Sequence, residues 1–112
     1  MSRDPRLYLE DILEACEKIQ RYTSRMLFDE FKSDDRTYDA VIRNLEIIGE
    51  AAKNIRPEIQ ELYPDIEWRA ISAFRNIVAH EYFAIKTEIV WDIVVNKIPD
   101  LYNHIQNILA GY

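Results

Sequence analysis

Val41, Leu45, Ile48, Ala52 and Ile55 recur at alternating steps of four and three residues. Side chains at that spacing line one face of an α-helix, whereas a strand would divide them between two faces. The stripe predicts a helix from about Thr37 to about Ile55, stopped before Pro57. Leu9, Ile12, Cys16, Ile19 and Thr23 repeat in the same way and predict an earlier helix, about Pro5 to Phe28. Asp4 suits its N-cap and Pro5 its first position. Lys32 to Arg36 reads as a polar loop, and Pro57 to Tyr63 as one or two helical turns stopped by Pro64. Asp65 is expected to cap a third helix, about Ile66 to His80. Thr87 is expected to cap a fourth, about Glu88 to Leu109, with Val90, Val94, Leu101, Ile105 and Ile108 as its apolar stripe.

Two residues interrupt these patterns. Gly49 lies inside the second helix, where it costs about 1 kcal/mol relative to alanine. A close approach of another helix would explain it. Pro99 lies inside the fourth, where it removes a backbone hydrogen bond and should bend the helix. No segment alternates with period two for long enough to suggest a sheet, and two glycines and four prolines are too few for a turn-rich β-fold. The expected fold is all-α: an antiparallel up-down four-helix bundle with a short extra helix, forming one domain over residues 1–112.

Composition narrows the function classes. Fourteen basic and twenty acidic residues give a net charge of −6. That argues against avid non-specific nucleic-acid binding, and no DNA partner is expected. It leaves room for an enzyme that holds RNA through a few local arginines. No apolar run is long enough to span a bilayer, and the first residues lack a leader's continuous apolar stretch, so a cytoplasmic protein is expected. Cys16 is the only cysteine, which excludes an intrachain disulfide and a thiolate zinc site. No cofactor and no metal are expected.

The chemistry concentrates in Arg75-Asn76-Ile77-Val78-Ala79-His80-Glu81-Tyr82. The chain has two histidines, and one of them stands five residues after an arginine. A guanidinium stabilises charge on a phosphoryl group and an imidazole moves protons near neutral pH, so Arg75 and His80 form a minimal catalytic pair. At about 100° per residue, Asn76 and His80 lie within roughly 140° of Arg75, while Ile71, Phe74, Ile77 and Val78 fall on the opposite side. The aliphatic residues are therefore expected to face the core. Arg75, Asn76 and His80 share an arc with the small residues Ser72 and Ala79, which would let another body approach. Asn76 and His80 are i, i+4 neighbours, so Asn76 can orient the imidazole.

The same residues also admit plainer roles: Arg75 as an ion-pair partner of Glu67 or Glu81, His80 as a helix cap or a half-buried core residue, Tyr82 and Phe83 as packing. Glu10, Asp11 and Glu14 read as a solvated face. Glu46 and Glu50 are i, i+4, but the Glu-x-x-His repeats of a di-metal bundle are absent. Trp68 and Trp91 read as core or interface anchors, and His104 as a surface residue.

Arg75-x4-His80-x-Tyr82, with Asn76 after the arginine, resembles the R-x4-H-x-Y signature of HEPN domains, and the chain as a whole resembles the HepT family of HEPN toxins. Asn44 to Lys53 is similar to that family's second-helix block. Trp68-Arg69-Ala70-Ile71, Val90-Trp91 and Ile98-Pro99-Asp100-Leu101 fall in matching order. The resemblance implies a HEPN-like four-helix bundle that forms a homodimer, with two Arg/His pairs meeting in a cleft. It implies a metal-independent endoribonuclease, the toxin of a toxin–antitoxin pair, with Arg75 and His80 catalytic and Asn76 supporting. It also implies a cognate minimal nucleotidyltransferase antitoxin that transfers AMP to Tyr82. The alternative is a non-catalytic module that binds a nucleotide or serves as partner subunit of such a nucleotidyltransferase.

Overall fold

A computed structural model describes residues 3–76 and 86–112. Its first helix, α1 (Pro5–Tyr22), starts as expected: the Asp4 carboxylate accepts a hydrogen bond from the Arg6 amide at 2.9 Å, with Pro5 at the first turn. Leu9, Ile12, Cys16 and Ile19 are all fully buried. The helix ends six residues before the expected Phe28. The Thr23 hydroxyl donates to the Ile19 carbonyl at 2.7 Å, and Arg25 has a φ of 63°. A left-handed residue cannot extend a right-handed helix.

A separate short helix follows, α2 (Phe28–Ser33), whose entry is fixed by the Leu27 amide donating to the Glu30 carboxylate at 2.9 Å. Most of the expected polar loop is therefore helical, and Asp34 alone separates α2 from α3 (Asp35–Lys53). Asp34 caps α3, accepting from the Thr37 amide at 3.1 Å and the Thr37 hydroxyl at 2.7 Å. Those two bonds hold the Asp34 carboxyl below its ordinary pKa. All five residues of the predicted α3 stripe are buried, and Ile42, Asn44 and Ala51 widen it. The beginning of α1 (Tyr8, Asp11) shares a cleft with the second half of α3 (Glu46, Glu50, Asn54), so the two long helices run antiparallel.

The connection beyond α3 is lashed by side chains. Gln60, at the end of α4 (Pro57–Gln60), donates to the Ala52 and Ile55 carbonyls at 3.2 and 3.0 Å, closing the C-terminus of α3. Trp68 opens α5 (Trp68–Ser72) and returns its indole N–H to the Gln60 and Tyr63 carbonyls, both at 3.1 Å. The start of this helix corrects the expectation. Glu67 occupies the cap position, and Asp65 precedes it within the turn. The regular helix is interrupted by a turn at Ala73 and resumes over residues 74–76.

The C-terminal segment is α6 (Thr87–Asp92), a π-helical turn (Ile93–Lys97) and α7 (Ile98–Ala110). Thr87 is the first helical residue here, preceded by Lys86 at the cap position. Pro99 does interrupt the helical bonding, and the interruption takes the form of a π turn, with the Ile98 amide bonding back to the Ile93 carbonyl. Proline has no N–H to give and crowds the carbonyl four residues earlier, so wider bonding just before it relieves both problems.

The core joins α1, α3 and α7 through Leu9, Ile12, Ile19, Leu45, Ile48, Ile98 and Ile105, all at most 1% exposed. Phe31 extends it toward Trp91, with ring centroids 4.9 Å apart. Among the described residues no buried side-chain polar atom lacks a partner, and no helix is long and apolar enough to cross a membrane. The chain is all-α, with no strand among the described residues.

Candidate active site

Gly49 explains where Arg75 sits. A Cβ built on Gly49 would lie 2.7 Å from the Arg75 backbone nitrogen, 3.0 Å from its Cβ and 3.3 Å from its Cα. Only a residue without a side chain lets the two backbones come so close. The close approach expected for Gly49 is thus real, and the element that approaches is the one carrying the arginine.

This contact places Arg75 against the next residue of α3. Arg75 Nε lies 3.0 Å from Glu50 Oε2 in an ion pair, with the side chains 41% and 53% exposed. A half-exposed pair of this kind adds at most about 1 kcal/mol to stability. Asn54, one turn on, donates from Nδ2 to the Glu50 backbone carbonyl at 2.9 Å and lies 3.5 Å from Glu50 Oε1. The carboxylate is thus flanked by the arginine on one oxygen and the amide on the other.

The partner differs from both expected ones. Glu67 instead faces Lys97 at 4.0 Å, and Glu81 lies outside the described residues. Glu50 is the residue that sequence reasoning missed in this role. Its signal was its position immediately after a glycine that called for a close helix approach. The i, i+4 pair of Glu46 and Glu50 is engaged by arginines, since Arg43 reaches Glu46 at 3.4 Å. Among the described residues no three His, Cys, Asp or Glu side chains gather as metal ligands.

The helical projection holds for the part of the segment that is described. Ile71 and Phe74 are buried at 5% and 7%, Arg75 is half-buried and Asn76 is exposed. The neighbour beside Arg75 within the chain is Gly49. His80 and Tyr82 lie outside the described residues, as does Ala79. His104 is half-buried on α7, its Nδ1 2.8 Å from the Asp100 carbonyl. It lines a cavity with Ile71 and Phe74, on the core side of the segment, while Arg75 contacts α3. Trp68 and Trp91 serve as core anchors, as expected.

Chemically, Arg75 presents a planar, permanently charged donor group at a half-open surface, suited to the non-bridging oxygens of a phosphate. Asn76 adds an exposed amide on the adjoining face.

Comparison with known proteins places this geometry in a family. The HepT-like ribonuclease family model matches residues 12–108. A protein of Methanocaldococcus jannaschii, named as a candidate RNase, is 44% identical over 96% of this chain and 88% of its own length. A Thermococcus cleftensis protein named as a ribonuclease HepT is 44% identical over 90% of this chain and 92% of its own. A candidate RNase of Caldanaerobacter subterraneus subsp. tengcongensis is 36% identical over 96% of each. No solved structure matches the chain at a significant level. With its arginine seated by a glycine on the long central helix, and with this match over nearly all its length, the chain belongs to the HepT-like ribonuclease family.

Proposed function

We propose that the protein is a metal-independent endoribonuclease and the toxin of a toxin–antitoxin pair. The observation that carries the reading is the seat of Arg75, whose backbone is pressed against Gly49 and whose side chain is half-exposed beside Glu50. Family membership supports RNA as substrate.

In this mechanism the 2′-hydroxyl adjacent to the scissile phosphate is the nucleophile. One His80 imidazole removes its proton, the 2′-oxygen bonds to phosphorus, and charge builds on the non-bridging oxygens. Arg75 neutralises that charge. The bond from phosphorus to the 5′-oxygen breaks, and an imidazolium protonates the departing oxygen, leaving a 2′,3′-cyclic phosphate and a 5′-hydroxyl. Base and acid are different groups, so a homodimer cleft holding two His80 side chains divides the labour. Asn76 orients His80 or contacts phosphate.

Tyr82 is the control point. AMP transferred to its phenol by a partner nucleotidyltransferase adds a phosphodiester with a negative charge two residues beyond His80 in sequence. That charge competes with RNA for Arg75, by the electrostatic logic of phosphorylation switches.

The test is cleavage of RNA by purified protein in EDTA, alone and after incubation with the partner nucleotidyltransferase and ATP. R75A and H80A each abolish cutting while keeping the wild-type circular dichroism spectrum. Undiminished cleavage by both variants rejects the reading, and nucleotide binding without any cleavage would replace it with the non-catalytic alternative.

A further inference from the structure

We propose that the cavity between α5 and α7 is a binding site for a small organic cation: one phenyl-sized apolar group bearing a primary ammonium. The inference goes beyond the ribonuclease reading and stands without it. The cavity has a volume of about 180 Å³, and Ile66, Ile71, Phe74, Ile93 and Leu101 form its apolar floor. All five belong to the hydrophobic core, yet each keeps 5–7% of its surface exposed, whereas Leu9, Ile12, Ile48 and Ile105 keep none. The core therefore reaches solvent at this point. An apolar cavity of about 150 Å³ takes a single benzene ring, so the space here suits one ring and little more. It is separate from the arginine's surface, since it lies on the core side of the segment while Arg75 contacts α3.

The rim sets the charge of the ligand. Asp65, Glu67, Asp100 and Lys97 surround the floor, three acids against one base. Lys97 stands 4.0 Å from Glu67. Among the described residues Asp65 and Asp100 enter no ion pair, so two carboxylates border the cavity without a counter-charge. His104 adds an acceptor. Its Nδ1 lies 2.8 Å from the Asp100 carbonyl. A carbonyl only accepts, so Nδ1 carries the proton and Nε2 of the neutral ring is left with a lone pair.

This combination selects by chemistry. The floor gains from covering a ring, because that removes apolar surface from water. An ammonium brings three N–H donors and a positive charge to a rim of acceptors and net negative charge. A carboxylate or phosphate on the same ring is repelled, which turns nucleotides away from this cavity.

Three matched probes test the site in the full chain, without RNA: 2-phenylethylamine, 2-phenylethanol and phenylacetate, titrated near neutral pH at low salt and followed by amide chemical shifts. The amine should give saturable shifts at Ile71, Phe74 and Leu101 with a Kd on the order of 1 mM. It should bind at least about three-fold tighter than the alcohol and about ten-fold tighter than the acid, with both gaps narrowing as salt is added. Ala70 lines the cavity from an exposed position on α5, so A70L should crowd it and weaken the amine at least about ten-fold. Asp100 is exposed on α7, and D100N should bring amine and alcohol to within about two-fold of each other, a readout that stands even if A70L folds poorly. No saturable shift at the three floor residues up to about 20 mM amine would overturn the proposal. Equal affinity for amine and alcohol in the wild type would also overturn it, because the cavity would then accept uncharged apolar groups without regard to the rim. So would wild-type amine binding by an A70L protein with the wild-type circular dichroism spectrum.

Discussion

G49A tests the geometry on which the site depends. In an exposed helix interior, replacing glycine by alanine stabilises by about 1 kcal/mol. Here the added methyl carbon would stand 2.7 Å from a backbone nitrogen, roughly 0.7 Å inside ordinary van der Waals contact. A backbone atom cannot swing aside as a flexible side chain can, so the segment carrying Arg75 must move as a unit. Overpacking of this kind costs about 1–3 kcal/mol. Set against the gain in propensity, the net change is a loss of about 0–2 kcal/mol. Urea unfolding measures it, provided the m-value stays constant. The displacement matters more for catalysis: a shift approaching 1 Å in a charge-stabilising group lowers kcat by about ten- to a hundred-fold. The expected pattern is a nearly folded-neutral variant with most of its RNA cleavage gone. A G49A protein that is about 1 kcal/mol more stable than wild type and fully active would show that α3 and the Arg75 backbone are not in contact, and would refute the reasoning.

W68F keeps a buried aromatic ring but removes part of the indole's volume and the N–H shared by the Gln60 and Tyr63 carbonyls, so it should cost at least about 1–3 kcal/mol in urea or thermal unfolding. An unchanged midpoint would mean that the indole does not tie this connection. Burial pushes the Cys16 thiol up to about 12, with a smaller push from Glu17. Alkylation of the native protein near pH 8 should therefore run roughly a thousand-fold slower than in urea, as the lower thiolate fraction dictates. By linkage, the stability owed to the neutral thiol is complete below about pH 9 and declines as pH rises toward about 12; C16A should remove that alkaline limb. Asp34 behaves in the opposite sense. Its carboxyl is held low by Thr37, so its contribution is full above the ordinary carboxylate range and is lost as pH falls through the folded-state value. D34N should flatten the acid side of the stability profile, and an unaltered acid limb would remove Asp34 from its cause.

What could be read from the residues alone was local. The stripe depends on local spacing, and all five of its residues are buried, although α3 ends at Lys53 and Ile55 lies two residues beyond it. Gly49 announced a close approach because its cost needs a reason. The identity of the approaching residue, some twenty-six positions later, could not be read, because it depends on how the connection through Gln60 and Trp68 folds back. The Arg75–Glu50 pair was missed for the same reason. The end of α1 was misjudged because an apolar run continues through Met26, Leu27 and Phe28. The break lies in backbone geometry, at Arg25, which carries no glycine to mark it. The π turn escaped because proline forecasts a disturbance without specifying its form. The placement of His80 and Tyr82 rests on the motif, since both lie outside the described residues.

The π turn also divides allegiance within what looks like one C-terminal rod. Ahead of it, α6 rests on α2, with Trp91 against Phe28 and Phe31. Behind it, α7 rests on α1. Wide, poorly stacked bonding makes Ile93–Lys97 the weakest stretch of the helical ladder, and Val90, Ile93 and Val94, buried in the common core, hold it in place where its own bonds do not.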